Sequence, residues 1–318
     1  MSYASGIKAA ISEQISESRP QQRAELSALV RSCGTLHIRG GGELALSVQT
    51  ENQAVAKLIV TLFQKIYQKK VALHSKAQTS LNKRTVYEII VDDVRANLVE
   101  LGIVADERSF QLLDDVPDFV FSDNANRRAY IRGMFLGSGS INDPAKSYHL
   151  EFVVTSKYFA ERFMQLLKAF DLYAKMLERK SHFIVYIKDS DQIVDILNII
   201  GAHSYLLSYE STRVAKAMKN YVNRIVNCDT ANVRKMMAAS NQHIEAIETI
   251  DRIMGLKELP ESLYQIAQLR LENQEITLAE LGELLTPPIS KSGANHRMKK
   301  LIKLADKLKA ERGLNNSS

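Results

Sequence analysis

Cysteine is scarce in this chain of 318 residues, and the two that occur, Cys33 and Cys228, are far apart in the sequence. They form no C-x-x-C pair and stand in no Cys/His spacing typical of a zinc site. The sequence therefore predicts neither a disulfide framework nor a structural metal, and a reducing compartment fits it best. The chain is long enough for two domains with full hydrophobic cores.

Long apolar runs are also lacking. No uninterrupted apolar segment approaches the ~20 residues that a membrane-spanning helix requires. The N-terminal residues Met1–Lys8 lack the basic-then-apolar order of a signal peptide. We therefore expect a cytoplasmic protein with no membrane partner. We also expect neither a small-molecule substrate nor a cofactor.

Acidic residues are nearly absent from one segment near the C-terminus. Between Thr286 and Ala310 the sequence has seven Lys or Arg and one acid, whereas the net charge of the whole chain is +6. Residues 211–318 hold 17 of the 42 basic side chains and 12 of the 36 acidic ones. Residues 1–210 therefore hold 25 basic and 24 acidic side chains. We expect a polyanion to bind the basic segment and the near-neutral part to be a scaffold or a docking surface for a protein partner.

The first two thirds of the sequence contain an internal repeat. Ala24–Leu36 lies over Ala129–Ile141, with apolar positions matched and a glycine, Gly34 or Gly139, near the end of each stretch. Both copies read as helix, strands, helix, strands and helix, and the last helix is expected to end at a left-handed glycine. The elements predicted after the first helices are strands at 43–49 and 148–154, helices at 53–67 and 157–172, strands at 85–91 and 183–187, helices at 94–101 and 192–200, and C-caps at Gly102 and Gly201.

The first helix of the second copy carries two glycines on one face. Gly133 and Gly137 stand four residues apart, although glycine costs roughly 1 kcal/mol relative to alanine inside a helix. A duplicated apolar helix of this kind, followed by a strand pair, resembles the motif helix of the LAGLIDADG homing endonuclease fold. The resemblance implies that the two helices pack side by side at a pseudo-twofold axis, with Gly133 and Gly137 facing Ala28 and Ser32.

In active members of that family the penultimate position of each motif helix is an acid, and the two acids bind the metal ions that cleave DNA. The corresponding positions here are Cys33 and Ser138. Neither supplies the carboxylate oxygen that magnesium prefers, so we expect no catalytic residue and no metal ion. Asp143 and Glu43 follow the two helices and could replace the acids, which keeps a residual endonuclease open as an alternative.

Beyond residue 208 the strand pattern disappears, and three helices are predicted at 263–273, 277–285 and 291–310. Thr277 and Glu280 have the spacing of a capping box, Pro287 and Pro288 stop the helix, and Ser290 caps the next one. This is the layout of a helix-turn-helix, whose second helix enters the major groove. The predicted DNA-binding residues are Thr277, Ser290, Lys291, Ser292, Asn295, His296, Arg297, Lys299, Lys300 and Lys303.

Among these residues, base edges are assigned to Ser290, Lys291, Ser292 and Asn295. Phosphates or flanking bases are assigned to Arg297, Lys299 and Lys300. The buried stripe of the same helix is predicted at Ala294, Met298, Leu301, Ala305 and Leu308.

A polar segment, Asn223–Asn232, precedes these helices and allows two interpretations. Either Asp229 or Thr230 caps a helix, or its polar side chains contact phosphates or fix the docking of the domain. The candidates for such contacts are Asn223, Arg224, Asn227 and Asn232. The domains are predicted at 1–205 for the repeat, 206–225 for a linker and 226–318 for the helical DNA-binding domain. Residues 208–212 are expected to form either a hinge or part of a continuous helix.

Together, the double repeat without its acids, the segment "NRIVNCDTAN" and the C-terminal helix-turn-helix resemble the WhiA family of bacterial sporulation and cell-division regulators. The fold class predicted is α+β, a duplicated LAGLIDADG-like αββαββα domain followed by an all-α domain. The resemblance implies a non-enzymatic protein that binds double-stranded DNA at the nucleoid and acts in transcription regulation, cell division, chromosome segregation and, in spore formers, sporulation.

Two alternatives from other classes also stay open. The protein could act mainly through a protein partner on the repeat domain, with DNA contact secondary. Alternatively, an RNA-binding module would expose aromatic side chains on its strands, for which Tyr87, Tyr148 and Tyr186 are the candidates, although each is as easily a packing residue.

Overall fold

The computed structural model describes residues 2–40, 43–77, 85–108 and 110–312. The chain divides into two compact units, Met1–Lys216 and Ala217–Ser318. None of the helices in the described ranges is long and apolar enough to cross a membrane.

The first unit contains the duplicated arrangement of helices and strands, preceded by one additional helix. The additional helix is α1 (Tyr3–Ser12). In chain order the first copy then runs through α2 (Arg19–Cys33), β1 (Gly34–Ile38), β2 (Leu44–Thr50), α3 (Gln53–Tyr67), β3 (Ala72–Ala77), β4 (Thr85–Val91) and α4 (Arg95–Glu100). The second copy follows as α5 (Asp118–Phe121), α6 (Asn124–Ser138), β5 (Gly139–Ile141), β6 (Leu150–Val154), α7 (Lys157–Lys168), β7 (Lys175–Arg179), β8 (His182–Ile187) and α8 (Ser190–Ile199).

Each copy forms its own four-stranded antiparallel sheet. The strand orders are β1-β2-β4-β3 and β5-β6-β8-β7, so the two sheets have the same topology. Gly34 and Gly139 open β1 and β5 directly after the central helices and pair with Val48 and Phe152. The predicted double αββαββα arrangement is therefore confirmed, and so are the left-handed glycines after α4 and α8, Gly102 with φ 68° and Gly201 with φ 78°.

The two copies meet at the central helices α2 and α6, which are in close contact. A Cβ atom placed on Gly133 would lie 2.7 Å from the Ala28 side chain, and one placed on Gly137 would lie 2.8 Å from the Cβ atom of Ser32. Both distances are too short for non-bonded carbon atoms. The predicted facing pairs are therefore confirmed, and the glycines are explained by the approach of the opposite helix.

A buried ion pair crosses the same helix interface. Glu25 is fully buried, and its Oε2 atom lies 2.5 Å from the Nη2 atom of Arg132, whose Nε also donates to Oε1 at 2.8 Å. Burial raises the pKa of Glu25, and Arg132 opposes that shift. The carboxylate thus depends on its guanidinium partner, because an unpaired charge at this position would have no water to solvate it.

The second unit is helical. The long helix α9 (His203–Met254) enters it, and a 3₁₀ turn at Leu256–Glu258, α10 (Glu261–Glu272), α11 (Leu278–Glu283) and α12 (Lys291–Glu311) follow. Its core combines one face of α9 with the apolar stripes of the later helices. The core members are Ala246, Ile247, Ile250, Leu259, Ile266, Ala267, Leu281, Leu285, Ala294, Met298, Leu301 and Ala305.

The structure decides two alternatives about α9. A helix beginning at Asp229 or Thr230 is wrong, because α9 continues through both residues. Of the two alternatives for residues 208–212, the continuous helix is present. Good helix formers at 215–219 and 234–239 flank the polar segment, and capping residues between them occupy ordinary helical positions. The stretch 206–225, interpreted as a linker, is helical throughout, and the division between the units falls inside it.

We predict that Gly133→Ala destabilises the first unit by about 1–3 kcal/mol, the usual cost of overpacking. Alanine favours a helix by about 1 kcal/mol over glycine, but here its methyl group would overlap the backbone of Glu25 and the side chain of Ala28. Thermal unfolding measures the change, with Gly40→Ala as the matched control, because no atom lies within 4 Å of a Cβ at Gly40. Equal unfolding temperatures for the two variants would contradict the close helix contact.

We also predict that Arg132→Met costs about 3–5 kcal/mol near neutral pH, because it leaves the Glu25 charge buried without a partner. Removing the guanidinium raises the pKa of Glu25 further. A carboxyl whose folded-state pKa lies above its unfolded value lowers the free energy of unfolding as the pH rises from the unfolded pKa toward the folded one, so the loss should shrink as the pH falls. Denaturant unfolding between pH 5 and pH 8 tests this, and the double variant Glu25→Leu/Arg132→Met should recover much of the stability. A loss independent of pH would refute the role of the carboxylate.

Candidate nucleic-acid interface

The C-terminal ends of α2 and α6 carry Cys33 and Ser138, the positions where the resemblance placed metal-binding acids. The Cys33 Sγ atom lies 3.1 Å from the carbonyl oxygen of Leu29, and the Ser138 Oγ atom lies 3.4 Å from that of Met134. Both side chains are therefore turned back on their own helices. Burial raises the pKa of the Cys33 thiol to about 11, so this group is neutral at physiological pH.

Lys8 of α1 lies beside the same helix ends, a feature that sequence reasoning missed. Its Nζ atom is 5.8 Å from the centroid of the Phe135 ring, and burial lowers its pKa to about 8, partly offset by Cys33. A cation at this place opposes the binding of a divalent metal. Of the possible replacement acids, Glu43 is exposed, and Asp143 accepts a hydrogen bond from the Ala145 N–H at 2.9 Å.

In the second unit, the start of α11 is fixed by the predicted capping box. The Thr277 hydroxyl accepts from the Glu280 N–H at 3.3 Å, and the Glu280 carboxylate accepts from the Thr277 N–H at 2.7 Å. The backbone hydrogen bond from Thr277 lowers the pKa of Glu280. The predicted box is thus present, and the Thr277 hydroxyl takes part in it while the residue remains exposed.

The loop before α11 is held by Arg270, which sequence reasoning also missed. This arginine is only 1% exposed, and its Nη1 atom donates to the carbonyl oxygens of Ile276 at 2.9 Å and Asn273 at 3.2 Å. The Ser240 hydroxyl of α9 donates to the Gln274 carbonyl in the same loop. The one signal in the sequence was an arginine within an otherwise apolar stretch of α10, Leu269–Leu271.

The turn between α11 and α12 packs tightly on α11. The Ile289 N–H donates to the Gly282 carbonyl at 3.0 Å, and a Cβ atom at Gly282 would overlap the Ile289 carbonyl oxygen. Ser290 then caps α12, because its hydroxyl accepts from the Gly293 N–H at 3.3 Å. The two short-range caps and this backbone contact set the direction in which α12 leaves the turn.

Helix α12 separates its buried and exposed residues as predicted. Ala294, Met298, Leu301 and Ala305 are buried, and Leu308 is partly buried beside them. At 3.6 residues per turn, five of the candidate residues project from the opposite half of the helix, while Lys291 and Asn295 lie at the edge of that half. The five are Ser292, His296, Lys299, Lys300 and Lys303, all of them exposed.

The basic residues of α12 differ in how they are paired. Lys307 and Lys309 near the C-terminus lie 3.7 Å from Glu311 and 3.0 Å from Glu245. Within the described ranges, no carboxylate pairs with the lysines nearer the N-terminus, which are Lys291, Lys299, Lys300 and Lys303. The Arg297 guanidinium donates to the Ser262 carbonyl of α10 at 3.2 Å. The unneutralised positive charge is therefore concentrated on the exposed half of α12.

The candidates on α9 stand apart from this cluster in the sequence and belong to a fully exposed stretch of helix. Asn223, Arg224, Asn227 and Asn232 are all exposed. The Asn232 side-chain amide contacts the Cys228 sulfur at 3.8 Å, one turn away. Of the tyrosines considered for base stacking, Tyr148 packs against the buried Tyr209 at 5.9 Å and Tyr186 stacks on His149 at 5.8 Å.

Comparison with known protein families accounts for most of the chain. Residues 19–104 match the WhiA N-terminal LAGLIDADG-like domain, residues 127–219 the WhiA LAGLIDADG-like domain, and residues 222–305 the WhiA C-terminal HTH domain.

Curated relatives of nearly the same length are similar over the whole chain. A protein of Clostridium acetobutylicum named "Probable cell division protein WhiA" is 41% identical over 315 residues, which cover 98% of this chain and 99% of that protein. A protein of the same name from Alkaliphilus metalliredigens is 43% identical over 317 residues, with 98% and 99% covered.

A solved structure shares the fold. The crystal structure of full-length DUF199/WhiA from Thermatoga maritima is 25% identical, has a TM-score of 0.60, and covers 96% of this chain and 99% of its own. The N-terminal LAGLIDADG domain of DUF199/WhiA, 20% identical, matches with a TM-score of 0.50 over 63% of this chain and 92% of its own.

We predict that Gly282→Ala destabilises the second unit by about 1–3 kcal/mol, because the methyl group would displace the backbone of the turn at Ile289. Gly293→Ala is the matched control in the same motif, since a Cβ atom there would meet Ile289 side-chain atoms at ordinary distances of 3.4 Å or more. Calorimetric unfolding of both variants tests the contact. A Gly282→Ala variant as stable as Gly293→Ala would show that the turn does not pack on α11.

Proposed function

The chain belongs to the WhiA family, and from that premise we propose that it is a non-enzymatic regulator that binds double-stranded DNA through α11 and α12. The observation that carries the proposal is the row of exposed lysines on one half of α12, for which the described part of the chain provides no carboxylate partner. Phosphate contacts supply most of the affinity of such a surface and fix its register. Ser290, Ser292, Asn295 and His296 lie on the first turns, from which a recognition helix contacts base edges.

We infer different functional roles for the two units from their net charges. Residues 1–210 are close to neutral, whereas a surface that held a long duplex alone would carry an excess of basic side chains. We assign the first unit a scaffold or partner-binding role. The neutral groups of Cys33 and Ser138 beside Lys8 support the loss of the nuclease reaction, because two-metal cleavage needs anionic oxygen ligands at that place.

The cellular role proposed here follows the relatives. They are named as cell division proteins, and we propose that this chain regulates transcription in cell division, chromosome segregation and, in spore formers, sporulation. Its site of action would be the nucleoid in the cytoplasm. The polar residues Asn223, Arg224, Asn227 and Asn232 are proposed as additional contacts, either to phosphate or to a neighbouring protein surface that fixes the docking of this unit.

We predict that Lys299→Ala/Lys300→Ala weakens binding of a duplex at least tenfold in about 0.1 M salt and lowers the slope of log K against log salt by about 2, near one for each phosphate that the variant no longer neutralises. The matched control is Lys307→Ala/Lys309→Ala, which removes the same charge from the same helix at positions already paired with carboxylates. Fluorescence anisotropy across a salt series measures both variants. Equal reductions of affinity in the two variants would contradict the assigned face.

The same titrations carry a test of the nuclease alternative. Samples with magnesium are resolved on a denaturing gel, and the proposal expects intact strands. A cleaved strand whose formation is abolished by Asp143→Asn or Glu43→Gln would assign the reaction to the replacement acids and overturn the non-enzymatic role.

A further inference from the structure

A group of exposed apolar side chains lies on the N-terminal part of the second unit. Every residue from 217 to 235 of α9 is exposed, although the segment is rich in large apolar side chains. At about 100° per residue these side chains project within an arc of about 140°. We call this surface the α9 apolar face; its members are Met218, Tyr221, Val222, Ile225, Val226 and Val233, which are 44–64% exposed.

Nearer the C-terminal end of α9, the same side of the helix is covered by the other helices of the second unit. Ser240, His243, Ile247 and Ile250 follow the arc of the α9 apolar face at helical spacing and are buried in the core of the second unit. This side of α9 is therefore a packing surface over its C-terminal part. Over the α9 apolar face, the described residues provide no helix that packs against it.

Charge and polarity around the α9 apolar face restrict its occupant. Lys219 borders one edge of the arc, and Arg224 and Lys235 border the other. Between residues 211 and 244 Asp229 is the only acid, against six Lys or Arg. A second copy would bring further positive charge to both edges, which disfavours self-association.

Two further occupants fit poorly. Asp229 and Asn232 lie inside the apolar arc, and a carboxylate there opposes insertion into the hydrocarbon of a membrane. DNA offers phosphates to the basic edges but nothing apolar to cover six exposed hydrophobic side chains. A protein helix can cover the apolar side chains, place acidic residues beside the basic edges and offer one hydrogen-bond donor to Asp229. It can do so because its side chains stand at defined positions.

We propose that the α9 apolar face docks an amphipathic α-helix of another protein, with apolar residues at i, i+3/4 and i+7 and acidic residues along both flanks. A lysine or arginine of the docked helix lies opposite Asp229, because a buried carboxylate must be paired. This pair fixes the direction in which the docked helix runs along α9. The proposal does not depend on DNA binding.

The test places a photo-crosslinking amino acid at Ile225 or, as the matched control, at Asn220 on the opposite side of α9, in the full-length chain in cells that produce it. Mass spectrometry of the adducts identifies the crosslinked segment. The proposal expects an adduct from Ile225 and none from Asn220, and it expects a helical segment with an apolar stripe and acidic flanks. An adduct with a second copy, with this same chain or with lipid, or no adduct above the control, overturns it.

A second measurement checks the chemistry of the contact. A synthetic peptide of the crosslinked segment is titrated against the purified full-length protein. Ile225→Asp and Lys219→Glu should each weaken binding at least tenfold, whereas Asn220→Asp, which adds the same carboxylate on the opposite side, should leave it within twofold. Circular dichroism and duplex binding show that the variants remain folded. Equal affinities for Ile225→Asp and Asn220→Asp overturn the assignment of the face.

Discussion

The close contact between α2 and α6 is the constraint on which the first unit depends. Two helices approach this closely only when small residues face each other, and Gly133 against Ala28 and Gly137 against Ser32 meet that requirement. The buried pair of Glu25 and Arg132 crosses the same interface and links the two copies electrostatically. Because β1 and β5 begin directly at the ends of these helices, the contact also places both four-stranded sheets.

The same helix pair explains how a LAGLIDADG-like fold can form without acids at the ends of its two central helices. The packing uses the facing sides of α2 and α6, whereas Cys33 and Ser138 lie at the helix ends as neutral groups that bond to their own helices, and Lys8 adds a cation nearby. The packing therefore does not require an acid at either end.

Much of this architecture could be predicted from the sequence because its signals are local. The capping box at Thr277 and the bounds of α3 and β4 were predicted correctly, because each depends on residue types at fixed intervals along the chain. The close helix contact was likewise predicted from the spacing of two glycines. The helix start considered at Asp229 or Thr230 is wrong because a capping side chain also tolerates the interior of a long helix. Strands β3 and β7 were not located, since their alternation is irregular and their partners, β4 and β8, define them.

For the candidate interface, the sequence identified the exposed half of α12 but not what positions it. Arg270 and Gly282 position the motif through backbone carbonyl groups of the neighbouring loop and turn, a kind of contact that hydrophobic periodicity does not reveal. The burial of Lys8 beside Cys33 depends on α1, a helix that the repeat does not include. The exposure of the α9 apolar face could not be anticipated either, because an apolar stripe ordinarily indicates burial.

We propose that α11 and α12 bind DNA while the repeat unit serves as a scaffold. Hydrogen–deuterium exchange of the full-length chain, with and without a saturating duplex, measures which of the two units binds. We expect slower exchange in residues 277–303 on binding, with the amides of β1–β8 unchanged. Slower exchange in the strands of both sheets, with α12 unchanged, would instead assign DNA binding to the LAGLIDADG-like unit.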